Sequence, residues 1–469
     1  MAPGLLTRVA NRLLGRSYDG AAGGRRWRGF RGMPDLRAAQ MAARGPMATR
    51  ARALVANNAL AASGAEAWTS ALVGSGIKPQ SAHPDPAIRA ALNAAFERWT
   101  DEADADGLTD FYALQALAAR RLVVDGESFG AFMLDGRGAL RVRLLDAEQV
   151  DASLTSYSAA GARIVAGVEF DAAGRRTAYH IRRERPGMPL ASPLQTVRVG
   201  ADDAFHLLRP EVAGQVRGVS WFAPVLLRLA DYDSAADAQL TRQKIGALLT
   251  GFVTSTDGEV PFDGEEAGPG MLEGGLEPGT LKVLAPGQDV SFSDPAEIGQ
   301  EAIEFMKVTA REIAAGLGIP YEQLTGDLSG VNYSSIRAGL VDFRRRVEAL
   351  QYGVLVFQMC RPTWRRFVTA EVLAGRLSAP GFFTDPAPYL AAKWITPKRE
   401  WVDPKKDVEA EISAIGAGLM SRREAVAARG TDIEALDAEI ASDKARAEGL
   451  GLTFTAGLAP TIEVPANVD

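Results

Sequence analysis

The chain reads as an α+β protein in which long helices frame an antiparallel sheet region. Three observations predict that class. Apolar residues recur in steps of four and three over several long stretches, strand-like alternation punctuated by turn dipeptides fills residues 126–182, and a glycine- and proline-rich stretch, 255–296, separates two of the long helical patterns. With 469 residues, 47% of them hydrophobic and 23% charged, there is material for two or three cores.

Residues 1–49 form an Arg-, Gly- and Ala-rich arm that reads as flexible. Its composition overlaps that of an organelle transit peptide, but a disordered basic arm is the commoner origin of such a segment. Residues 1–52 hold eleven arginines and two acids, a balance of +9 that leaves −15 for the remainder, so the net charge of −6 conceals a basic arm on an acidic body. Helical patterning begins at residue 50 and runs to about Val73, then a loop with Pro79, Pro84 and Pro86 leads to a helix ending near Trp99. Residues 108–124 continue as another amphipathic helix. The turn pairs Asp135-Gly136, Ala160-Gly161 and Ala173-Gly174 then divide 126–182 into antiparallel strands.

Residues 219–249 are the longest uninterrupted helical segment, opened by Ser220 and Pro224 and closed by Gly251. At ~1.5 Å per residue it would extend roughly 45 Å. Acids at Asp231, Asp233 and Asp237 interrupt its apolar residues, a mixed character that suits packing against copies of itself or an ordinary core position. The stretch after it predicts a small inserted subdomain with strands near 281–284 and 290–292, and a helix at 301–315 returns from it. Residues 362–402, rich in proline and aromatics, are expected to rejoin the sheet region. From Asp403 two or three short helices follow, broken at Gly416, Gly418 and Gly430, and residues 453–469 lack periodicity and read as a flexible tail.

Several chemistries find little support. The single cysteine, Cys360, lies in an apolar helical pattern, which excludes an internal disulfide and fits a core position in a reducing compartment. Three scattered histidines offer no transition-metal site, and no phosphate-cradling G-x-x-x-x-G-K-[ST] occurs. No apolar run reaches the ~20 residues of a membrane span. The acidic cluster Glu102, Asp104, Asp106, Gly107 has Ala113 where a calcium loop requires its bidentate glutamate, so it reads as a solvated turn. One enzyme-like motif remains, the G-x-S-x-G of Gly126 to Gly130, with Asp146 or Asp171 and His180 or His206 downstream in triad order. A serine hydrolase using Ser128 is therefore an alternative function. The elbow needs a helix directly after the serine, however, and the following residues read as a strand, a tight turn and a second strand.

The chain converges on residues 311–350. Gly316, Gly318 and Pro320 close one helix, a small polar loop follows, and apolar residues at Ile336, Leu340, Phe343, Val347, Leu350 and Val354 mark the inner face of the next helix. Its other side carries Arg337, Arg344, Arg345 and Arg346, a block that is often no more than a solvated face.

The wording of this crossing, GLGIPYEQLTGDLSGVNYSSIRAGL, closely resembles the signature of the lambda-type portal proteins of tailed bacteriophages. The likeness is collinear over most of residues 50–452: the paired Asn57-Asn58 and the Gly74-Ser75-Gly76-Ile77 turn, the hairpin at 167–181, the QVRG segment within 206–226 and the helical region after Glu400 all have counterparts. The resemblance implies a portal-type fold. Its parts would be a wing (50–217 and, with the basic helix, 337–402), stem helices (218–249 and 297–322), a clip (250–296), a channel loop (323–336) and a helical crown (403–452). It further implies a ring, usually dodecameric, at one capsid vertex of the virion, assembled in the host cytoplasm. Double-stranded DNA would pass through it, and the terminase large subunit, capsid and scaffold proteins and a head–tail adaptor would be its partners, with no catalysis, cofactor or membrane. Asp327, Ser329, Asn332, Tyr333, Ser334 and Ser335 would face the channel, with Arg337 at the loop base steering phosphates or pairing with acids of a neighbouring subunit. Asn332 and Tyr333 could equally cap the following helix. A cellular DNA-binding protein using the basic arm is a weaker alternative.

Overall fold

The computed structural model describes residues 35–158, 161–184, 196–247, 251–255, 265–268, 271–273, 288–292, 300–330, 332–398 and 403–452. The expected arm before residue 35, the strand signal at 281–284 and the tail after 452 lie outside them.

Helix α1 (Leu36–Asn57) begins fourteen residues before the expected boundary, capped by the Asp35 carboxylate on the amides of Arg37 and Ala38. Its early turns lack an apolar stripe and contain Pro46, which hid them from a reading based on periodicity. Helices α2 (Ala59–Val73), α3 (Pro86–Thr100) and α4 (Phe111–Asp125) form the principal core with later elements. Two buried side chains tie this layer to backbone: Gln115 brackets the amide and carbonyl of Ile77 at 2.8 and 3.0 Å, and Trp99 Nε1 donates to Leu140 O at 2.7 Å. Strand β1 (Lys78–Ser81) pairs across the whole chain with a strand near residue 394.

The expected antiparallel region is present as two sheets. Strands β2 (Glu127–Leu134) and β3 (Leu140–Leu145) make a hairpin, and β4 to β8 (Ser156–Tyr157, Arg163–Val165, Val168–Phe170, Arg176–Arg182, Thr196–Gly200) form a five-stranded meander. Strand β9 (Ala204–Leu208) then pairs with β2 on the side away from β3. A second core fills the space between the sheets, centred on Phe129, Val150, Val168 and Tyr179. The acidic turn before α4 is more structured than expected. Asp104 accepts from the amides of Asp106, Leu108 and Thr109, and its neighbours pair with Val142.

Helix α5 (Leu226–Ala247) starts seven residues later than expected. Pro224 disfavours helical backbone at Ala223, and Trp221 and Phe222 are drawn into the core, with the Trp221 amide on Val123 O at 3.1 Å. Among the described residues the insertion contains two antiparallel pairs, β10 (Gly251–Ser255) with β13 (Gln288–Phe292) and β11 (Glu265–Gly268) with β12 (Met271–Glu273). Helix α6 (Gln300–Leu317) returns alongside α5, followed by the short α7 (Tyr321–Thr325) and by α8 (Tyr333–Leu350).

The basic helix does not stop at Cys360. A ten-residue π-helical stretch, Gln351–Cys360, leads directly into α9 (Arg361–Leu373). Pro362 lies inside this continuous run; the wider π spacing, with the Arg361 amide on Val356 O, accommodates a residue that lacks a donor and crowds the turn before it. Helix α10 (Ala387–Leu390) and β14 (Ala392–Ile395) follow. The return meets the sheet region as expected, through Arg366 on Asp202 and Asp203 and Arg376 on the carbonyls of Arg137 and Gly138, and it also brings β14 to β1. Helices α11 (Pro404–Gly416), α12 (Arg422–Ala427) and α13 (Ile433–Gly449) end the described chain.

Candidate functional site

At the crossing, Gly318 adopts φ +73 and ends α6, and Gly326 at φ +72 ends α7 with its amide on Glu322 O. The end of α6 and helix α7 are anchored on α2. Trp68 Nε1 donates to Leu317 O at 2.9 Å, Ser63 Oγ donates to Leu324 O at 2.6 Å, and Phe343 and Trp221 pack on the Trp68 ring at 5.1 and 5.0 Å. The approach of α2 to α6 requires Gly64, where a Cβ would lie 2.9 Å from Leu317 Cδ1.

A groove of about 590 Å³ lies between α6, α7, the loop and α8, walled by Lys307, Arg311, Tyr321, Asp327, Asp342 and Arg346 among others. Arg311 stacks over the Tyr321 ring at 5.3 Å. The Tyr321 hydroxyl donates to Asp327 Oδ2 at 3.2 Å, while Asp327 Oδ1 accepts from the amide and hydroxyl of Ser329 at 3.0 and 2.5 Å. The Ser329 hydroxyl and amide hold the Asp327 carboxyl below its ordinary range. The loop is thus folded around a carboxylate.

A second polar constellation, missed from sequence, lies in the body. Glu127 and Arg217 are both fully buried; Arg217 donates to Glu127 through Nε and Nη2 and to the carbonyls of Ala147, Val150 and Ala166. His206 Nε2 donates to Glu127 at 3.0 Å, the Gly218 amide donates at 2.8 Å, and Arg44 of α1 caps the group. Burial would raise the Glu127 carboxyl, but Arg217, His206 and Arg44 outweigh it and hold it well below the usual carboxylate range. Burial takes His206 the other way, down to about 4, so the ring is neutral. The hub clasps α1, both sheets and the segment leading to α5. The QVRG motif, residues 215–218, supplies Arg217, and the G-x-S-x-G motif supplies Glu127.

That geometry removes the hydrolase. Ser128 is buried on β2 opposite Leu207, whereas His206 lies opposite Phe129 and therefore on the other face of the sheet. His206 is bound to Glu127, and His180 is bound to Glu169 at 3.1 Å. The strand context, not the elbow, is what the structure contains.

Residues 23–351 match the family model described as "Phage portal protein, lambda family". The chain belongs to the lambda family of phage portal proteins. The probable portal protein of Halomonas phage phiHAP-1 is 26% identical over 385 residues, covering 79% of this chain and 73% of that one. Portal protein B of Escherichia phage lambda is 24% identical over 337 residues, covering 64% of this chain and 61% of the relative. Among solved structures, a chain from the neck of a native GTA particle computed with C12 symmetry aligns with TM-score 0.45 at 16% identity, over 80% of this chain and 91% of that one. A chain from the virion of the native gene transfer agent aligns with TM-score 0.46 at 15% identity, over 89% and 99%.

In this portal protein the residues expected at the channel are only partly brought together. Asp327 and Ser329 are bonded to each other, and with Arg346 they line one groove. Asn332 is exposed and its carbonyl accepts from the Ile336 amide, which puts it at the cap of α8. The side chains of Tyr333, Ser334 and Ser335 lie outside the described structure. Arg337 pairs with Asp407 of α11 in the same chain at 3.3 Å. Arg346 is engaged by Asp342 and by Gly318 O, Arg344 lines a different groove with Gln351 and Pro397, and Arg345 is exposed. The basic block therefore serves several neighbours. Lys307, Arg311 and Tyr321 were missed because each sits inside an ordinary helical pattern.

Proposed function

We propose that this portal protein is one subunit of a closed ring at the unique capsid vertex of the virion, assembled in the bacterial cytoplasm, through which double-stranded DNA enters during packaging and leaves at ejection. In this reading α5 and α6 are the stem, the insertion at 250–296 is the clip, residues 403–452 are the crown, and terminase and a head–tail adaptor dock on the ring. The observation that carries it is the family match over residues 23–351, a range that includes α5, the insertion, α6 and the crossing.

Segment 326–332 is the element that meets DNA. A loop beside a moving duplex must hold no register tightly, since strong phosphate contacts stall translocation. Ser329 and Asn332 offer weak neutral contacts, and the Asp327 carboxylate is turned onto Tyr321 and Ser329. Asp327 therefore braces the loop, and the exposed Leu328, Ser329, Gly330 and Asn332 touch the passing backbone. Deleting residues 327–331 is expected to leave the ring intact and to impair packaging or retention of DNA in an in vitro terminase assay. Unchanged packaging and retention in an intact ring would remove the loop from the mechanism.

A further inference from the structure

Helix α1 is 22 residues long yet buries only Gln40, Ala48 and Ala51. Its apolar contacts with the principal core are the small Ala51 and the partly buried Met47, Leu54 and Val55. Charge does the rest. Arg52 Nε donates to Asp125 at 2.6 Å and its Nη1 pairs with Glu148, Arg44 pairs with Glu127, and Gln40 Nε2 donates to Glu211 at 2.8 Å.

The attachment at Glu127 is redundant from the body's side. With Arg44 gone, Glu127 would still accept from Arg217, His206 and the Gly218 amide, so no buried charge would be orphaned. Arg44 gains less from the contact. Burial lowers its pKa against the pull of Glu127, and its Nε is buried without a partner among the described residues. One extended residue, Asn58, separates α1 from α2, and it secures α2 by itself: its Oδ1 accepts from the Ala61 amide at 2.9 Å and its Nδ2 donates to Asp233 at 3.2 Å.

We infer that α1 is an electrostatically held strap that swings off the body as a unit about Asn58, leaves the Glu127–Arg217 hub folded, and uncovers the Asp125 carboxylate that Arg52 now shields. Partly exposed pairs weaken as salt rises, whereas the fully buried Arg217 pair is shielded from it. Segments with few apolar contacts also open at free energies below that of global unfolding.

Hydrogen exchange of the full chain at about 0.05 M and about 1 M salt tests this. Amides of 36–57 should exchange roughly tenfold faster at the higher salt while those of β2 and β9 stay unchanged. The double variant Arg44→Ala, Arg52→Ala should show the same selective exchange at low salt and admit trypsin at Arg50, and Arg44→Lys, Arg52→Lys should restore part of the protection. The inference is overturned by acceleration of β2 together with 36–57, by exchange of 36–57 indifferent to salt and to the double variant, or by loss of β2 protection in the double variant.

Discussion

At the scale of single residues, the Glu127–Arg217 pair decides whether the body folds. Removing one partner of a fully buried ion pair leaves an uncompensated charge, so Arg217→Ala should cost about 3–5 kcal/mol in chemical denaturation. His206 adds a pH dependence. Burial lowers its pKa from 6.5 to about 4, so between those values the unfolded chain binds a proton that the folded chain refuses. Its contribution is complete above about pH 6.5 and falls away as the pH drops toward about 4, by at most ~3 kcal/mol. Glu127, held below its ordinary value, loses stability in the same direction at still lower pH. Denaturation midpoints at about pH 7 and about pH 5 should converge in His206→Gln, whereas the parent chain weakens at the lower value. An unchanged gap would show that another group titrates. Space is as constrained as charge here, since a side chain at Gly218 would meet the Gly126 carbonyl oxygen at 2.0 Å.

At the scale of elements, the three terminal helices form a layer with almost no apolar core: α11 and α13 bury no residue, and α12 buries only Ala425. Arg89, bidentate on Glu434, and Arg337 on Asp407 tie it to the body, while Arg422 on Asp437 and Arg429 on Glu411 join its helices to one another. Glu434→Ala removes the carboxylate that Arg89 and Arg423 share, and should cost about 1 kcal/mol, seen as faster hydrogen exchange confined to 404–449. Elements with a steady apolar period were legible in the sequence. Helices α3, α4 and α6, the strands of 126–182 and the inner face of α8, with Phe343 and Val347 buried and Val354 continuing it in the π stretch, lie where periodicity put them. What stayed hidden depends on contacts distant in sequence: α1 is fixed by ion pairs with residues around 125–148 and by the Gln40 hydrogen bond to Glu211, and the onset of α5 is set by burial of Trp221 and Phe222. The π stretch before Pro362 belongs to the same group, because a proline in sequence signals an end and the backbone has a second way to admit it. The crossing itself was found by its wording, but the role of Asp327 was not: its bond to Ser329 is an ordinary Asx spacing, and nothing in the string TGDLSG shows that Tyr321 takes its other oxygen.

At the scale of the whole molecule, the portal ring is the proposal on which the channel loop depends. Mass measurement of the purified protein, or of protein assembled with scaffold and shell proteins, should show a closed ring of identical subunits. A particle that stays monomeric under both conditions refutes it. Both ends of the described chain are attached to the body chiefly through arginine pairs, so raised salt is expected to loosen 36–57 and 404–449 well before the apolar centre around Trp68, Trp99 and Trp364. The subunit thus has a salt-resistant middle and two charge-governed margins.

The sole cysteine gives the molecule a practical property. Cys360 is buried, and burial pushes its thiol well above the ordinary range, so the reactive thiolate is withheld while the chain is folded. A thiol placed at an exposed position such as Ser329 would then be the single nucleophile available to a maleimide dye. Native protein offers, without further engineering, a silent background on which one fluorophore per subunit can report the distance between neighbouring loops.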